Sequence, residues 1–585
     1  MARSRIFHRT MPNLEITTRS ETSAIALVTL HAGYSHSSLA LQSIAAFCRD
    51  ELFYDDIHLF EPLVNVNHQQ LIESLVALAP AVIGFSTYLW NIQASLRLTR
   101  LLKQLLPESL FVFGGPEAGP RGAELLGRVD AIDFIVDGEG EAAFRDLVRW
   151  RLYGQGDLSD TSGLIWRKDG MIVTNPIRML PVEEIPSPIT LGLTDFTKPL
   201  VYWETSRGCP YRCTFCTSAT DRLRAFPVER VEAELQILEG LAAKTVKLLD
   251  RSFHLGKKRT VELLHRFAQT PESLRFHLEL NPDRISPEAM AVFRQAAPGK
   301  FQFEIGLQTL SAPVLDAIDR QMDIPKALAN ISELVELKKH PVHLDLIIGL
   351  PGEDAVQCSD SLNRVFRLYP GHLQLGTLKM LPGTPLQMQA GPLGYRWDRE
   401  PPYEVLSHPL LTFQELSRFK LYAELLERLW NSGYLIHTLM WLVPRYFDDE
   451  IVACFNALLA ATGERLAREN LQPDRLFGLV ADYLEPTLEG DLLLRELLLW
   501  DYSRFSLVNG KTPSWIAEHL HECGKFVVQG SRRQLPILSL SSEAAEIISR
   551  RALEPIAAGR YAVWPRQHKK GKPVEIFEVP KKIYG

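Results

Sequence analysis

Three cysteines stand close together near the middle of the chain, in the segment CPYRCTFC that runs from Cys209 to Cys216. Cys213 lies between them. The spacing Cx3Cx2C lets one loop place three thiolates around a single inorganic centre. Iron–sulfur clusters are normally held by cysteine thiolates. Three thiolates can ligate three irons of a 4Fe–4S cluster and leave the fourth iron open. The segment therefore predicts such a cluster, held in a loop shaped by Gly208 and Pro210.

A zinc site is the alternative for the same three residues. Structural zinc takes four ligands, often as two pairs, and the sequence has no second CxxC or HxxxH pair. The other cysteines, Cys48, Cys358, Cys454 and Cys523, are scattered, which is typical of buried small residues. Seven cysteines with one cluster indicate a reducing compartment, so we expect a cytoplasmic protein without a disulfide framework.

Length and composition predict several globular domains. At about 150 residues each, 585 residues suggest three or four units, and 46% hydrophobic with 23% charged residues is typical of a soluble protein. A net charge of −6 gives no basic footprint for nucleic acid. The sequence contains no run of about 18 apolar residues, so no membrane span is predicted. Residues 1–22 lack an apolar signal segment and are predicted to be a disordered tail, with a mitochondrial presequence as the lesser alternative.

Residues 23–154 alternate strands with helices. Five apolar segments predict buried strands: residues 24–30, 56–60, 80–86, 110–113 and 133–136. The alternation predicts a doubly wound parallel α/β sheet, in which ligands lie outside the carboxyl ends of the strands. Glycine-rich turns at Gly114–Gly115 and Gly138–Gly140 follow two of those ends, and a bulky ligand could approach the backbone there. Ordinary tight turns would show the same glycines.

The rest of the chain divides into three further regions. Residues 155–200 are a predicted connector with a small hairpin around Asp169 and Gly170. Residues 201–385 contain about six βα units with polar residues after the strands, which predicts a partial (β/α)6 barrel with its active site at that end. Residues 386–585 carry amphipathic helices, such as 413–431, and predict a mostly α-helical domain with a final hairpin at 561–579 and a basic tip at 569–572.

The cysteine loop resembles the defining signature of radical S-adenosylmethionine (radical SAM) enzymes. In that family the open iron binds the amino and carboxylate groups of SAM, and electron transfer cleaves SAM to a 5′-deoxyadenosyl radical. The strand-end motifs ELNP, GLQT, DRQ and DLIIGLP resemble those of the oxygen-independent coproporphyrinogen oxidase branch. The family's glycine-rich motif is replaced here by LLDRSF, where Asp250 or Arg251 is expected to substitute. The resemblance implies these SAM-binding residues: Phe215, Asp250, Arg251, Glu279, Gln308, Arg320 and Asp345.

The first domain resembles the cobalamin-binding domain of class B radical SAM enzymes, because strand–GGP–helix is followed by strand–GEGE–helix upstream of the cysteine loop. No DxHxxG motif is present, so we expect base-off cobalamin without a histidine ligand. The resemblance implies these cobalamin-binding residues: Ser86, Thr87, Tyr88, Trp90, Asn91, Gly114, Gly115, Pro116, Gly138, Glu139 and Gly140. Tyr88 and Trp90 could equally pack the core. The C-terminal region resembles the helical domain of the tryptophan methyltransferase of thiopeptide biosynthesis.

These resemblances imply a cobalamin-dependent radical SAM enzyme with three cofactors: a 4Fe–4S cluster, SAM and cobalamin. We expect a methyltransferase that moves a methyl group from SAM, by way of cobalamin, to a carbon of a small molecule or peptide, with an external electron donor. The alternatives are a cobalamin radical SAM cyclase, oxidase or rearrangement enzyme, and a SAM-cleaving enzyme whose first domain binds no corrin. A non-catalytic iron–sulfur sensor is disfavoured, since a sensor does not need the SAM contacts that Glu279, Gln308 and Asp345 offer at the strand ends.

Overall fold

The computed structural model describes residues 23–52, 54–219, 222–241, 244–253, 257–506, 512–522, 525–527, 534–552, 555–564 and 574–579. The predictions for residues 1–22, Cys523 and the basic tip 569–572 lie outside the described residues. The chain forms two compact units, Met1–Arg207 with Leu223–Leu249 and Gly208–Arg222 with Asp250–Gly585. The domain boundaries expected from the sequence stay predictions.

The first unit contains eleven described strands and six described α-helices. The strands are β1 (Ile25–Val28), β2 (Ile57–Phe60), β3 (Val82–Ser86), β4 (Leu110–Gly114), β5 (Phe134–Val136), β6 (Leu164–Lys168), β7 (Met171–Thr174), β8 (Leu200–Trp203), β9 (Ser206–Arg207), β10 (Arg224–Ala225) and β11 (Lys244–Leu248). The helices are α1 (Leu39–Leu52), α2 (Gln69–Leu78), α3 (Ile92–Leu105), α4 (Gly122–Arg128), α5 (Gly140–Tyr153) and α6 (Val228–Glu239).

A seven-stranded sheet in the order β2-β1-β3-β4-β5-β6-β7 forms the body of the first unit. Strands β1 to β5 are parallel, and β6 and β7 add an antiparallel hairpin. Buried hydrophobic clusters lie on both faces of the sheet, as a doubly wound fold requires. The predicted doubly wound sheet is confirmed, and the hairpin expected in the connector extends it. Strands β8 and β11 also pair in parallel.

The second unit begins with the cysteine loop and continues through the rest of the described chain. Its strands are β12 (Leu274–Leu280), β13 (Phe301–Gln308), β14 (Val342–Ile348), β15 (His372–Thr377), β16 (Arg396–Trp397), β17 (Val405–Ser407), β18 (Lys525–Val527), β19 (Gln534–Leu540), β20 (Gly559–Trp564) and β21 (Glu575–Glu578). Its helices are α7 (Lys257–Ala268), α8 (Pro287–Gln295), α9 (Ala312–Ala317), α10 (Ile324–Glu336), α11 (Ala355–Phe366), α12 (Pro385–Gln389), α13 (Phe413–Leu425), α14 (Ile436–Tyr446), α15 (Ile451–Thr462), α16 (Arg465–Arg468), α17 (Pro473–Leu488), α18 (Leu492–Ser503), α19 (Ser514–Glu522) and α20 (Ser542–Ser549).

Strands β12 to β15 pair in chain order and run parallel, joined by helices as expected for βα units. Burial alternates strictly along β12, β13 and β14, because successive side chains point to opposite faces of a sheet. On one face an aromatic cluster packs against the helices, with ring centroids 4.4 Å apart for Phe267 and Phe276 and 4.7 Å apart for Phe293 and Phe303. The other face is polar. The predicted fold class, two parallel α/β regions followed by a mostly helical region, is confirmed.

The C-terminal region adds an element that the sequence predicted only in part. Helices α13 to α18 follow one another, with a π-helical turn at Leu426–Asn431. They are followed by an antiparallel sheet in the order β18-β19-β20-β21. Only its last hairpin was predicted, since β18 is three residues long and too short to show periodicity. No helix among the described residues combines the length and apolar character needed to cross a bilayer.

Candidate active site

The three predicted cluster ligands lie in one loop of the second unit. Cys213 is 6% exposed, Cys209 and Cys216 are partly exposed, and all three are free thiols. Gly208 precedes them with a φ of +83°, a left-handed conformation that favours glycine. The amide of Ser218 donates to Sγ of Cys216 at 3.4 Å. Burial raises the pKa of the Cys209 thiol, so we expect ligation to depend on the metal to stabilise its thiolate.

Backbone hydrogen bonds attach this loop to the rest of the second unit. The amide of Thr214 donates to the carbonyl of Ile318 at 3.0 Å, and the amide of Leu386 donates to the carbonyl of Thr214 at 2.9 Å. In the described part of the chain, no three His, Cys, Asp or Glu side chains already stand in an arrangement that encloses a metal ion. The assignment of the three cysteines to a cluster therefore rests on their type and spacing, and on the cation beside them.

That cation is Arg320, which is 8% exposed. Its Nη1 lies 3.5 Å from Sγ of Cys213, and its Nη2 donates to Oδ1 of Asn281 at 2.7 Å. Asn281 in turn donates from Nδ2 to Oγ of Ser252 at 2.8 Å. A fixed positive charge favours a thiolate, so this chain of contacts links residues after β11 and β12 to a predicted cluster ligand. Sequence reasoning had selected Arg320 but not Asn281 or Ser252, although Asn281 belongs to the ELNP motif at a strand end.

Two buried polar atoms at these strand ends have no hydrogen-bond partner among the described residues: Nε of Arg320 and Oε1 of Gln308. Gln308 ends β13 with a φ of +69°, and a Cβ added to Gly306 would lie 2.2 Å from its Nε2. Buried polar groups normally have partners, so a spare donor and a spare acceptor suit a ligand that carries both kinds of group. SAM does, and the residues present therefore fit it.

The remaining residues predicted to bind SAM lie in different environments. Asp250 is buried at 1% exposure, Arg251 is exposed and Glu279 is partly buried. Phe215 lines a cavity of the second unit. Oδ1 of Asp345 lies 3.1 Å from Nε2 of His343, a partner that sequence reasoning missed. The roles of these residues toward SAM stay predictions.

The polar face of β12 to β15 carries more titratable groups than sequence reasoning selected. Nε2 of His277 lies 2.8 Å from Oε2 of Glu304, and the rings of His343 and His372 are 4.1 Å apart. Burial opposes the charge on His343, but Asp345 outweighs it and raises the pKa of the imidazole. Burial, with His343 as a further cause, lowers the pKa of His372. The signal was available, since all these residues occupy the alternate positions that share a face with Glu279 and Asp345.

In the first unit, several residues predicted to bind cobalamin lie at the ends of β3 and β4. Oγ1 of Thr87 donates to the carbonyl of Gly114 at 2.7 Å, and Nδ2 of Asn91, which is buried, donates to the carbonyl of Leu30 at 3.1 Å. Gly115 has a φ of +95°, and a Cβ there would lie 2.6 Å from the carbonyl oxygen of Thr87. These contacts fix the turn, so Thr87, Asn91 and Gly115 shape the strand-end surface.

Tyr88 and Trp90 stack with their ring centroids 4.4 Å apart. Trp90 is 46% exposed, while its Nε1 donates to the carbonyl of Leu30 at 3.2 Å. The indole is therefore anchored at its edge and open on its surface, unlike a core residue. Trp90 is therefore not a core residue, and its contact with cobalamin stays a prediction.

The glutamates of the GEGE turn are engaged by arginines of the same unit. Glu139 forms an ion pair with Arg224, and Oε1 of Glu141 lies 2.7 Å from Nη2 of Arg207. Ser86, Pro116, Gly138 and Gly140 border the same strand ends. The role of Glu139 toward cobalamin stays a prediction, since its carboxylate already has a protein partner.

Two histidines near the same strand ends have partners of their own. Nε2 of His31 lies 2.7 Å from Oε2 of Glu61, and Nδ1 of His36 contacts the hydroxyl of Tyr202. Burial lowers the pKa of His36, and burial raises the pKa of Tyr202 to about 12. The expectation that no histidine ligates cobalt stays a prediction.

Three family models match the chain in succession. The first, described as B12 binding domain, matches residues 25–148, and the second, described as Radical SAM superfamily, matches residues 203–365. The third, described as a protein of unknown function (DUF4080), matches residues 392–553.

Among curated proteins, the chain is 28% identical over 358 residues to the cobalamin-dependent radical SAM methyltransferase TokK of Streptomyces tokunonensis. The match covers 57% of this chain and 51% of the relative. The chain thus spans about half the length of that relative.

Two solved structures share the fold. The cobalamin-dependent SAM radical enzyme OxsB, with aqua-cobalamin bound, superposes with a TM-score of 0.59 at 14% identity, over 82% of this chain and 80% of that one. The radical SAM methyltransferase TsrM of Kitasatospora setae, with tryptophan substrate and a SAM analogue bound, gives 0.54 at 14% identity, over 67% and 80%. The comparisons match the predicted order of a cobalamin-binding domain and a radical SAM domain, and with it the expected cofactors.

Proposed function

We propose that this chain, a radical SAM enzyme with a B12-binding domain, transfers a methyl group from SAM, by way of cobalamin, to a carbon atom of a small molecule or peptide. A cluster bound by Cys209, Cys213 and Cys216 would supply electrons to SAM, and cobalamin bound to the first unit would supply the methyl carrier. The observation that carries the proposal is the succession of B12-binding and radical SAM matches in a chain that is homologous to cobalamin-dependent radical SAM methyltransferases.

The cluster loop supplies the ligands and their electrostatic setting. Cys209, Cys213 and Cys216 would hold three irons, and the guanidinium beside Cys213 offsets the negative charge that three thiolates bring. Because Arg320 is also bonded to Asn281, its position is fixed before any ligand arrives. The bond to Asn281 thus holds Arg320 beside the predicted cluster position.

The strand ends of the second unit would hold SAM. Oε1 of Gln308 is a buried acceptor and Nε of Arg320 is a buried donor. Neither atom has a hydrogen-bond partner among the described residues. Carboxylates at Asp250, Glu279 and Asp345 could accept hydrogen bonds from hydroxyl and ammonium groups. The burial of Asp250 and Arg320 excludes water from part of this surface. These residues would therefore bind and orient SAM and need not react with it.

The strand ends of the first unit would hold cobalamin. The glycine turns after β4 and β5 let a bulky ring approach the backbone, and the exposed face of Trp90 offers an apolar surface. The hydroxyl of Thr87 donates to Gly114 at the end of β4, and the side-chain amide of Asn91 donates to Leu30 after β1, so both hold neighbouring strand ends in place. We therefore assign the cobalamin contacts to this edge of the sheet, with no histidine as lower ligand.

Partners and location follow from the same proposal. A reductive cluster needs an external electron donor, and the methyl acceptor is a small molecule or peptide. The six cysteines of the described residues are free thiols, which fits a reducing compartment. We propose a cytoplasmic location on that ground.

The test begins with full-length protein purified without oxygen and offered iron, sulfide and cobalamin. We expect about four irons and one cobalt per chain. SAM carrying a labelled methyl group is then added with a reductant and candidate acceptors, and labelled products are sought by mass spectrometry. A labelled product that forms only with cobalamin supports the proposal.

The alternatives give different results in the same experiment. Cleavage of SAM with cobalt bound, and a product that carries no label, would favour a cyclisation, oxidation or rearrangement. Iron without cobalt would leave a SAM-cleaving enzyme whose first domain binds no corrin. Either result would overturn the methyltransferase proposal.

A further inference from the structure

The second unit contains a cavity of about 1100 Å³ beside the cluster loop. One wall comes from β15 and the residues after it, including Gln374 and Lys379, and from Phe215, the residue before Cys216. The opposite wall comes from α13 and α16. Ligand cavities of proteins typically have volumes of about 300–1000 Å³, so this space is large enough for a small molecule or a peptide segment. It lies within one unit and adjoins the predicted cluster.

Cations outnumber carboxylates along this cavity. Four basic residues line it, Lys379, Lys420, Arg428 and Arg468, against two acidic residues, Glu404 and Glu424. The excess of positive charge distinguishes this cavity from the chain as a whole, whose net charge is −6. A concave surface with an excess of one charge concentrates ligands of the opposite charge.

Both carboxylates, and three of the four cations, are engaged by protein groups. Nζ of Lys420 lies 2.7 Å from Oε2 of Glu404, and Nε of Arg428 lies 3.4 Å from Oε2 of Glu424. Nε of Arg468 lies 2.7 Å from a carboxylate oxygen outside the cavity lining, Oε2 of Glu464.

Lys379 is different. Its ammonium has no hydrogen bond or ion pair with any residue that the structure describes, and the side chain is half-buried. It follows β15, so it lies at the carboxyl end of the strand, where polar residues of βα folds meet their ligands. An uncompensated ammonium in a cavity favours an anion, because charge-assisted hydrogen bonds are the strong ones.

The methionine carboxylate of SAM has another candidate cation. Arg320 lies next to Cys213 and lines a different cavity, of about 430 Å³, whose lining does not include Lys379. This separation leaves Lys379 available for a second ligand.

The rest of the cavity suits an apolar body. Phe215, Ile347, Phe413 and Leu421 line it, and Phe413 is 55% exposed although it is large and apolar. An apolar wall with one converging cation is the usual composition of a small-molecule site, in which the polar group fixes orientation.

We propose that this cavity binds the methyl acceptor and that the acceptor is an anionic molecule whose carboxylate or phosphate group pairs with Lys379. Calling the bound molecule the methyl acceptor rests on the proposed function. The binding of an anion in this cavity does not. Phe215, which is also predicted to bind SAM, lines the cavity and would place the apolar part of the acceptor beside the cluster loop. Lys379 is a specificity-determining residue, since it selects acids over their neutral analogues.

The test uses matched probes on full-length, cofactor-reconstituted protein. Binding of 2-naphthoate, 2-naphthyl phosphate and the neutral 2-naphthamide is measured by calorimetry, with S-adenosylhomocysteine present in excess to occupy the SAM site. We expect both anions to bind at least about tenfold more tightly than the amide, a difference of about 1.4 kcal/mol. The preference should weaken as salt is raised, because the ammonium is only half-buried.

Variants assign that preference to one side chain. Lys379→Met should remove it, Lys379→Glu should favour 2-naphthylmethylamine instead, and Lys379→Arg should keep it. Lys258→Met is the matched control, since Lys258 is 91% exposed, belongs to the same unit and lies outside the cavity lining. If the methionine variant does not fold, the glutamate and arginine variants still give opposite expectations.

Three results would overturn the proposal. The first is equal binding of acid and amide to the unchanged protein, and the second is a preference that persists in Lys379→Met. The third is loss of the preference when S-adenosylhomocysteine is added, which would assign Lys379 to the carboxylate of SAM. None of these results depends on methyl transfer. Failure of the labelled-methyl experiment would therefore leave the anion preference intact, and failure of the two proposals can be told apart.

Discussion

Nη2 of Arg207 lies 2.7 Å from Oε1 of Glu141, and both side chains are largely buried. Arg207 also lies 2.9 Å from Oε1 of Glu204. The arginine immediately before the cluster loop is thus held by the GEGE turn of the first sheet. A buried pair of this kind is costly to break, because the remaining charge has no water and no partner.

Replacing this arginine tests the pair. Arg207→Ala should lower the free energy of unfolding by about 3 kcal/mol, since it leaves Glu141 and Glu204 buried without a counter-charge. Arg128→Ala is the control, because Arg128 is 71% exposed and pairs with Glu124 at the surface. It should cost less than about 1 kcal/mol. Urea unfolding of the full chain measures both, and equal effects would show that burial of the Arg207 pair does not matter.

Removing one cluster ligand tests the assignment of the cysteine loop. Cys213→Ala should abolish the cluster while cobalamin binding is retained, since the cobalamin residues lie on other elements. Iron, sulfide and cobalt content after anaerobic reconstitution measures both. Cys454→Ala is the control, as this thiol is buried in α15 and should leave iron content unchanged. Loss of iron and cobalt together in Cys213→Ala would contradict separate sites.

Asp345 has two candidate roles, which one substitution separates. Asp345→Asn should lower the pKa of His343, because the carboxylate is what raises it against the effect of burial. Histidine-labelled NMR titration measures that pKa. If Asp345 also binds SAM, the affinity for SAM should fall by about tenfold. Unchanged SAM affinity with a shifted His343 would make Asp345 a positioning residue only.

The raised pKa of His343 also predicts how stability changes with pH. A histidine whose pKa is higher in the folded state stabilises the fold fully below its ordinary pKa of 6.5, and that contribution is lost as the pH rises through the raised value. In Asp345→Asn this part of the pH dependence should be absent. Asp360→Asn, which changes an exposed aspartate of α11, should leave the dependence intact.

A buried glutamate predicts a second pH effect. Glu353 is 1% exposed and accepts a hydrogen bond from Oγ1 of Thr309 at 2.6 Å, and burial raises its pKa from 4.5 to about 7. The folded state therefore binds the proton more tightly, so this group makes stability fall as the pH rises from 4.5 to about 7. The effect is on the order of 3 kcal/mol.

Glu353→Gln removes this titration and keeps an oxygen that can accept from Thr309. Thermal unfolding between pH 4 and 8 should show a flatter dependence in this variant than in the unchanged protein. Glu485→Gln, at an exposed carboxylate of α17, should keep the original slope. An unchanged slope in Glu353→Gln would mean that Glu353 is ionised in the folded protein throughout this range.

Local features were predictable from the sequence, and non-local ones were not. The cysteine spacing, the strands of the parallel α/β regions and the glycine turns depend on neighbours in the chain, so pattern alone located them. The bond from Arg320 to Asn281 joins residues 39 positions apart, and no periodicity encodes it. Glu139 was predicted as a cobalamin residue, but its pairing with Arg224, 85 positions away, became visible only in the structure.

The histidines of β12 to β15 were predictable only in part. Alternation placed His277, His343 and His372 on the face that carries Glu279 and Asp345, so the pattern contained the information. What the pattern could not give was pairing across strands, such as His343 opposite His372, which depends on register.

Because burial alternates strictly along β12, β13 and β14, the two faces of these strands carry different kinds of side chain. The aromatic face packs against the helices and stabilises the fold, whereas the polar face carries residues predicted to bind SAM. Substitutions on the polar face therefore leave the aromatic packing untouched. A lineage, or an engineer, could exchange that lining to accept new substrates while the scaffold keeps its fold.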